Sequence, residues 1–141
     1  MKRVTLLIVV MMVAMSGMAV AQLMTSTTIV AEVPFQFTVA NKIVPAGECE
    51  VRAITTDGRT LAIRNTDAKV SLVSMFSQTE GKQAASGYAL VFNRYGDRYF
   101  LSGIQLRGSQ VTYRLPESKV EAELRAATAE PTQETLLAFL K

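Results

Sequence analysis

From Ile29 to Val39 every odd-numbered residue is apolar: Ile29, Ala31, Val33, Phe35, Phe37 and Val39. The neighbouring even positions include Thr28, Glu32, Gln36 and Thr38. A period of two belongs to a strand with one face buried and the other in water, and it rules out a helix over this stretch. Pro34 breaks the run. A proline has no N–H to give to a ladder, so the strand is expected either to lie at a sheet edge or to bend into two shorter strands that cross between sheets.

The same parity continues downstream. Cys49, Val51 and Ala53 share one face, with Glu48, Glu50 and Arg52 on the other, and Leu61 and Ile63 carry the inward face on. Val111, Tyr113 and Leu115 mark a last clear strand. Between these runs stand turn signals: residues 41–47 with Pro45 and Gly47, the Asp57-Gly58 pair, residues 65–69, and Arg107-Gly108-Ser109. The run 70–77 is blurred. Val70, Leu72 and Phe76 fall on one parity and Val73 and Met75 on the other, a two-sided pattern that predicts cover on both faces, by a helix or a partner. Residues 78–86 form the longest polar interruption and read as an exposed loop.

Residues 1–21 stand apart. Lys2 and Arg3 precede a run, 4–15, that is apolar except at Thr5, and Ala19-Val20-Ala21 closes it. That layout is expected to be a cleavable signal peptide, the alternative being a retained anchor. Cleavage leaves 120 of the 141 residues, enough for one domain held by a single core. It also removes two of the 15 basic residues, leaving 13 against 12 acidic ones, so a charge of +3 becomes +1. Charge therefore gives no reason to expect nucleic acid as a partner, and membrane contact is expected only through an uncleaved leader. The expected destination is the periplasm or the extracellular space.

The most conspicuous stretch is VFNRYGDRYFLS, residues 91–102, two apolar and aromatic runs about a polar turn. It reads as a hairpin in which Gly96 supplies a left-handed residue to a type I turn and Asp97 bonds local backbone. Its alternation of Arg94, Tyr95, Arg98 and Tyr99 is better explained by arginines stacked on tyrosines or standing in solvent than by base stacking. On the return strand Phe100, Ser102 and Ile104 oppose Tyr99, Leu101 and Gly103, so both faces look partly apolar. RYGDRYFLS, with VPFQFTVANKIVPAGECEV upstream and LPESKVEAEL downstream, resembles a group of small exported proteins frequent in acidobacteria. The resemblance implies export and a β fold and leaves function open.

After Pro116, Ser118 and Glu121 have the spacing of a capping box, and Val120, Leu124 and Ala127 recur at helical spacing. Lys119 with Glu123 and Glu121 with Arg125 are i,i+4 pairs. Residues 132–141 hold Leu136, Leu137, Phe139 and Leu140, too many apolar groups to leave in water. A second helix capped by Thr132 is favoured, with a late strand or an exposed docking segment as alternatives. The expected architecture is mainly β: an antiparallel meander of about seven strands forming a small barrel or sandwich, with one or two short C-terminal helices. The expected division is a leader at 1–21, a flexible stretch at 22–28, a β domain at 29–115 and a helical segment at 116–141.

The chain has no histidine, and Cys49 is its one cysteine. An intramolecular disulfide, the ordinary imidazole and thiolate metal sites and an imidazole base are all excluded. Cys49, in phase with Val51 and Ala53, is expected to be a small buried apolar residue. No catalytic residue, metal site or cofactor is expected. The favoured function is a non-catalytic exported binding or structural module of the bacterial envelope, acting on an envelope or extracellular partner or on a second copy of itself. Its candidate interaction surface is Val73, Met75, Leu136, Leu137, Phe139 and Leu140, and Gly96, Asp97, Asp57 and Gly58 are structural turn residues. One alternative is a barrel carrier of a small apolar ligand, its cavity lined by Phe35, Phe37, Val51, Phe92 and Phe100. Another is a carboxylate-dependent hydrolase using two of Glu32, Glu48, Glu50 and Asp97.

Overall fold

The computed structural model describes residues 27–54, 59–81, 87–128 and 130–141; the signal-peptide reading and the turn residues Asp57 and Gly58 lie outside them. The chain is mainly β, with eleven strands and one helix among the described residues, against the seven strands expected. The alternating run becomes β1 (Thr28–Val33) and β2 (Phe37–Val39), parted at Pro34. β1 pairs antiparallel with β4 (Gly47–Ala53), whereas β2 pairs with β3 (Lys42–Val44) and, in parallel, with β9 (Arg98–Gln105). The proline thus carries one stretch of chain from one part of the sheet to another, which is the crossing alternative.

A three-residue strand, β3, lies inside what reads in sequence as a single turn. The tight β2–β3 connection uses Ala40 and Asn41, both at positive φ (48° and 63°), the signature of a type I′ turn. Gly47 opens β4 at φ 139°.

β5 (Thr60–Asn65) and β6 (Val70–Met75) extend the sheet beyond β4. At Phe76 the strand bends and continues as β7 (Ser77–Glu80), which pairs with β10 (Val111–Arg114) instead. Residues 78–80, expected in a loop, therefore belong to a strand. β10 pairs with β9, β9 with β8 (Tyr88–Tyr95), and β8 with β11 (Thr132–Leu140). β11 returns to β1 through Ile29–Leu140 and Val30–Phe139, so the sheet comes close to closing into a barrel. This order is not a meander. The C-terminal segment, favoured in sequence as a helix, is the strand that joins the two ends of the path.

The helix, α1 (Lys119–Ala127), is the only one described. Pro116 ends the preceding strand, and the Ser118 hydroxyl accepts from the Glu121 N–H at 3.1 Å as N-cap.

Among the described residues the interior is packed with side chains. Phe37, Phe92, Ile63, Leu90 and Ile104 are each less than 2 % exposed and belong to one continuous apolar cluster. Phe35 and Phe37 both meet the Phe92 ring edge-on, at 5.1 and 5.2 Å. Cys49 is in the same cluster, and burial pushes its thiol up to about 12, so it packs as a small apolar group. Phe100, expected among the inward residues, is buried outside that cluster, with its ring edge-on to Tyr95 at 5.7 Å.

The two-sided look of the return strand has a physical cause. The β8–β9 register steps from Phe92–Leu101 to Val91–Gly103, leaving Ser102 as an extra residue whose hydroxyl donates to the Val91 carbonyl at 3.0 Å. A bulge changes the parity, so Leu101 and Ile104 both reach the core.

One end of the barrel is tied by polar groups. Asn65 is fully buried at the end of β5, and its Nδ2 donates to the Pro45 carbonyl at 2.7 Å. Its Oδ1 accepts from the Ala68 N–H at 2.8 Å. Beside it the Glu48 N–H donates to Asp67 at 2.9 Å.

Candidate functional site

The hairpin residues face two ways. Leu90 and Phe92 of β8 enter the core, while Asn93 and Tyr95 approach α1 from the sheet's outer face. The helix is held there at its first turn. The Lys119 N–H donates to Asn41 Oδ1 at 3.3 Å, so the type I′ turn anchors the helix N-terminus. The Glu121 side chain then reaches Asn93, whose Nδ2 donates to Oε1 at 2.8 Å, and Tyr95, whose hydroxyl donates to the same oxygen at 3.4 Å. The Ser118 hydroxyl caps the Glu121 N–H, and the Ser118 backbone N–H donates to the Glu121 carboxyl, which also reaches the sheet.

Between α1, the bend at Phe76 and the start of β11 lies a cleft of about 610 Å³. Glu121, 4 % exposed, lies on its floor beside Asn93 and Tyr95. Both side-chain bonds land on Oε1, and the Ser118 backbone N–H donates to the carboxyl as well. No fully buried polar side-chain atom among the described residues lacks a partner, and the Glu121 side chain lines the cleft. Burial raises the Glu121 carboxyl above the ordinary range; the Asn93 bond opposes that, and the nearby Glu117 charge adds to it. The Tyr95 hydroxyl is raised too, by burial first and then by the Glu121 charge.

The charges around this carboxyl divide simply. Arg125 Nε meets Glu117 Oε1 at 2.9 Å, so the helix arginine pairs with Glu117 and not with Glu121 as the i,i+4 spacing predicts. Arg114, exposed at the end of β10, has no ion pair among the described residues. After internal pairing the cleft keeps one buried acid and one exposed guanidinium. Met75, Pro116 and Pro131 add apolar wall, and Gln133 and Ser77 add neutral polar groups.

The residues singled out in sequence are distributed differently. Val73 and Met75 stand exposed on β6, Met75 by 67 % at the cleft's edge. The cover expected over their face is missing among the described residues. Leu137, Phe139 and Leu140 stand exposed on β11, Phe139 by 71 %, while Leu136 packs half-buried on the core. β1, β4 and β5 separate the two groups, so they form two patches. The β11 patch borders a groove of about 150 Å³ with Tyr88 and Arg107.

Gly96 and Asp97 form the two-residue β8–β9 turn. Gly96 takes φ 62° at the first central position and Asp97 takes no positive φ, so the turn has the type II′ pattern and not the type I expected. Arg94 bridges to Glu134 at 3.0 Å and lies over the Tyr99 ring at 5.5 Å, and Tyr99 stacks on Phe35 at 3.8 Å. Arg98 lies over the Phe100 ring at 5.6 Å.

Of the four carboxylates weighed for a hydrolase, none lines the cleft. Glu32 and Glu48 are cross-strand neighbours, Glu50 pairs with Lys141, and Asp97 sits in the hairpin turn. The carboxylates that do meet in the cleft are Glu117 and Glu121. In sequence Glu121 reads as a capping-box residue and as the i,i+4 partner of Arg125. The available signal was the outward parity of Asn93 and Tyr95, two polar groups on the face away from the core. No family model, curated protein or solved structure matches the chain.

Proposed function

We propose that the chain is an exported, non-catalytic binding module of the bacterial envelope, and that its ligand seat is the cleft between α1 and the outer face of the β8–β9 hairpin. The observation that carries this reading is the 610 Å³ cleft with a buried carboxyl, held only by neutral donors, on its floor. That volume falls within the roughly 300–1,000 Å³ of small-ligand pockets, and a few convergent polar groups among apolar walls are the usual makeup of such a seat. The filled barrel interior favours an external seat over a cavity carrier. Export rests on the leader and on the resemblance to small exported acidobacterial proteins.

The test is a ¹⁵N–¹H spectrum of the mature chain recorded with a panel of small cationic, anionic and neutral probes. Shifts are expected to cluster at Asn93, Tyr95, Glu121 and Gln133, with every probe recovered unchanged. Shifts confined to the β11 patch would move the seat elsewhere, and consumption of a probe would replace binding by catalysis.

A further inference from the structure

We propose that the cleft recognises a small zwitterion of the amino-acid type, with its ammonium group on Glu121 and its carboxylate on Arg114. This rests on the cleft being the ligand seat and goes on to name the ligand's chemistry. Arg125 and Glu117 satisfy each other at 2.9 Å, which leaves the Glu121 carboxyl at the floor and the Arg114 guanidinium at the edge, neither of them in an ion pair among the described residues. An ionised carboxylate out of water needs a positive partner. Its present partners, the Asn93 amide, the Tyr95 hydroxyl and the Ser118 backbone, are all neutral donors. A ligand ammonium supplies three donors and a full charge at that point. An anionic ligand alone leaves the Glu121 charge unanswered, and a cationic ligand alone leaves Arg114 unanswered. One molecule carrying both groups answers both.

Proton linkage follows from the same geometry. The charged and titratable groups around Glu121 are Tyr95 from β8, Arg114 from β10, Glu117 ahead of α1 and Arg125 on α1. Burial and Glu117 favour the protonated acid, whereas a bound ammonium favours the carboxylate. Binding the ammonium therefore expels a proton wherever free Glu121 is partly protonated, and affinity rises with pH until that ionisation is complete.

The experiment is calorimetric titration of the mature protein with three probe series: ω-amino acids of increasing length, n-alkylamines and n-alkanoates. An ω-amino acid of matching length is expected to bind at least about tenfold tighter than the amine or alkanoate of the same chain length. Glu121→Gln keeps an acceptor for Asn93 and Tyr95, so it retains the fold. It is expected to weaken amine and ω-amino acid binding about tenfold or more and to abolish its pH dependence, leaving alkanoate binding unchanged. Arg114→Gln is expected to do the reverse. Amine affinity that ignores Glu121→Gln, or alkanoate affinity that ignores Arg114→Gln, overturns the assignment. If such probes still shift cleft resonances, the seat survives and only its chemistry falls. Failure of all three series to bind overturns the proposal.

Discussion

Asn65→Ala tests whether buried side-chain hydrogen bonds hold one end of the barrel closed. Asn65 joins two connections that have no backbone ladder to each other: Nδ2 holds the Pro45 carbonyl at 2.7 Å, and Oδ1 holds the Ala68 N–H at 2.8 Å. A third contact, to the Ala46 carbonyl at 3.5 Å, is too long to count for much. Removing the amide deletes two good bonds and leaves a carbonyl and an N–H to find water. Each orphaned group costs about 1–3 kcal/mol if it stays dry and less if water enters, so the loss is about 2–4 kcal/mol. For a domain of this size that lowers Tm by on the order of 10 °C. The assay is urea unfolding followed by circular dichroism, with the m value expected to be unchanged. Asn65→Asp sharpens the test, because it keeps the acceptor for Ala68 but turns a second oxygen toward the Pro45 carbonyl. That variant is expected to recover stability as pH falls and the new carboxyl is protonated. A loss below about 0.5 kcal/mol in Asn65→Ala would falsify the idea that these two turns are joined through this side chain.

Glu121 gives the pH dependence. Its folded value lies above its ordinary 4.5, so the stability tied to the protonated acid is complete below that value and is lost as pH rises through the folded one. Glu121→Gln is therefore expected to gain on the wild type as pH is raised from 4 to 7, and a pH-independent difference in melting temperature would contradict the burial of the charge. Gly96→Val is expected to cost about 1–2 kcal/mol from backbone strain, because a Cβ there meets nothing within 4 Å. Unchanged urea unfolding would show that the positive φ is not required. Cys49, with its thiol at about 12 and its side chain buried, is expected to resist iodoacetamide at pH 8 until the chain is unfolded; rapid native labelling would place it at the surface.

The alternating stretches were legible because burial on one face leaves a period of two in the sequence. β1, β2, β4, β5 and β10 all carry it, and Pro34 told of the break between the first two. The strand β11 hid for the opposite reason. Leu136, Leu137, Phe139 and Leu140 do not alternate, because the strand buries the small Ala138 and leaves Leu137 and Phe139 in solvent. Its partner β8 lies about 40 residues upstream, and no local pattern announces a pairing at that distance. β3 is three residues long, too short for any periodicity. The bulge at Ser102 concealed the parity of β9 by changing it halfway. The cleft was the least legible feature, since its floor joins Glu121 to Asn93, 28 positions away, and only folding brings the two together.

The most direct test of the cleft as ligand seat compares two variants, Gln133→Trp, which fills the cleft, and Phe139→Ser, which removes the most exposed apolar group on β11. The chain has no tryptophan of its own, so the introduced indole also reports on the site by fluorescence. Titration of both with the tightest probe of the panel is predicted to show binding lost in Gln133→Trp and intact in Phe139→Ser. Binding intact in Gln133→Trp and lost in Phe139→Ser would contradict the account and place the seat on β11.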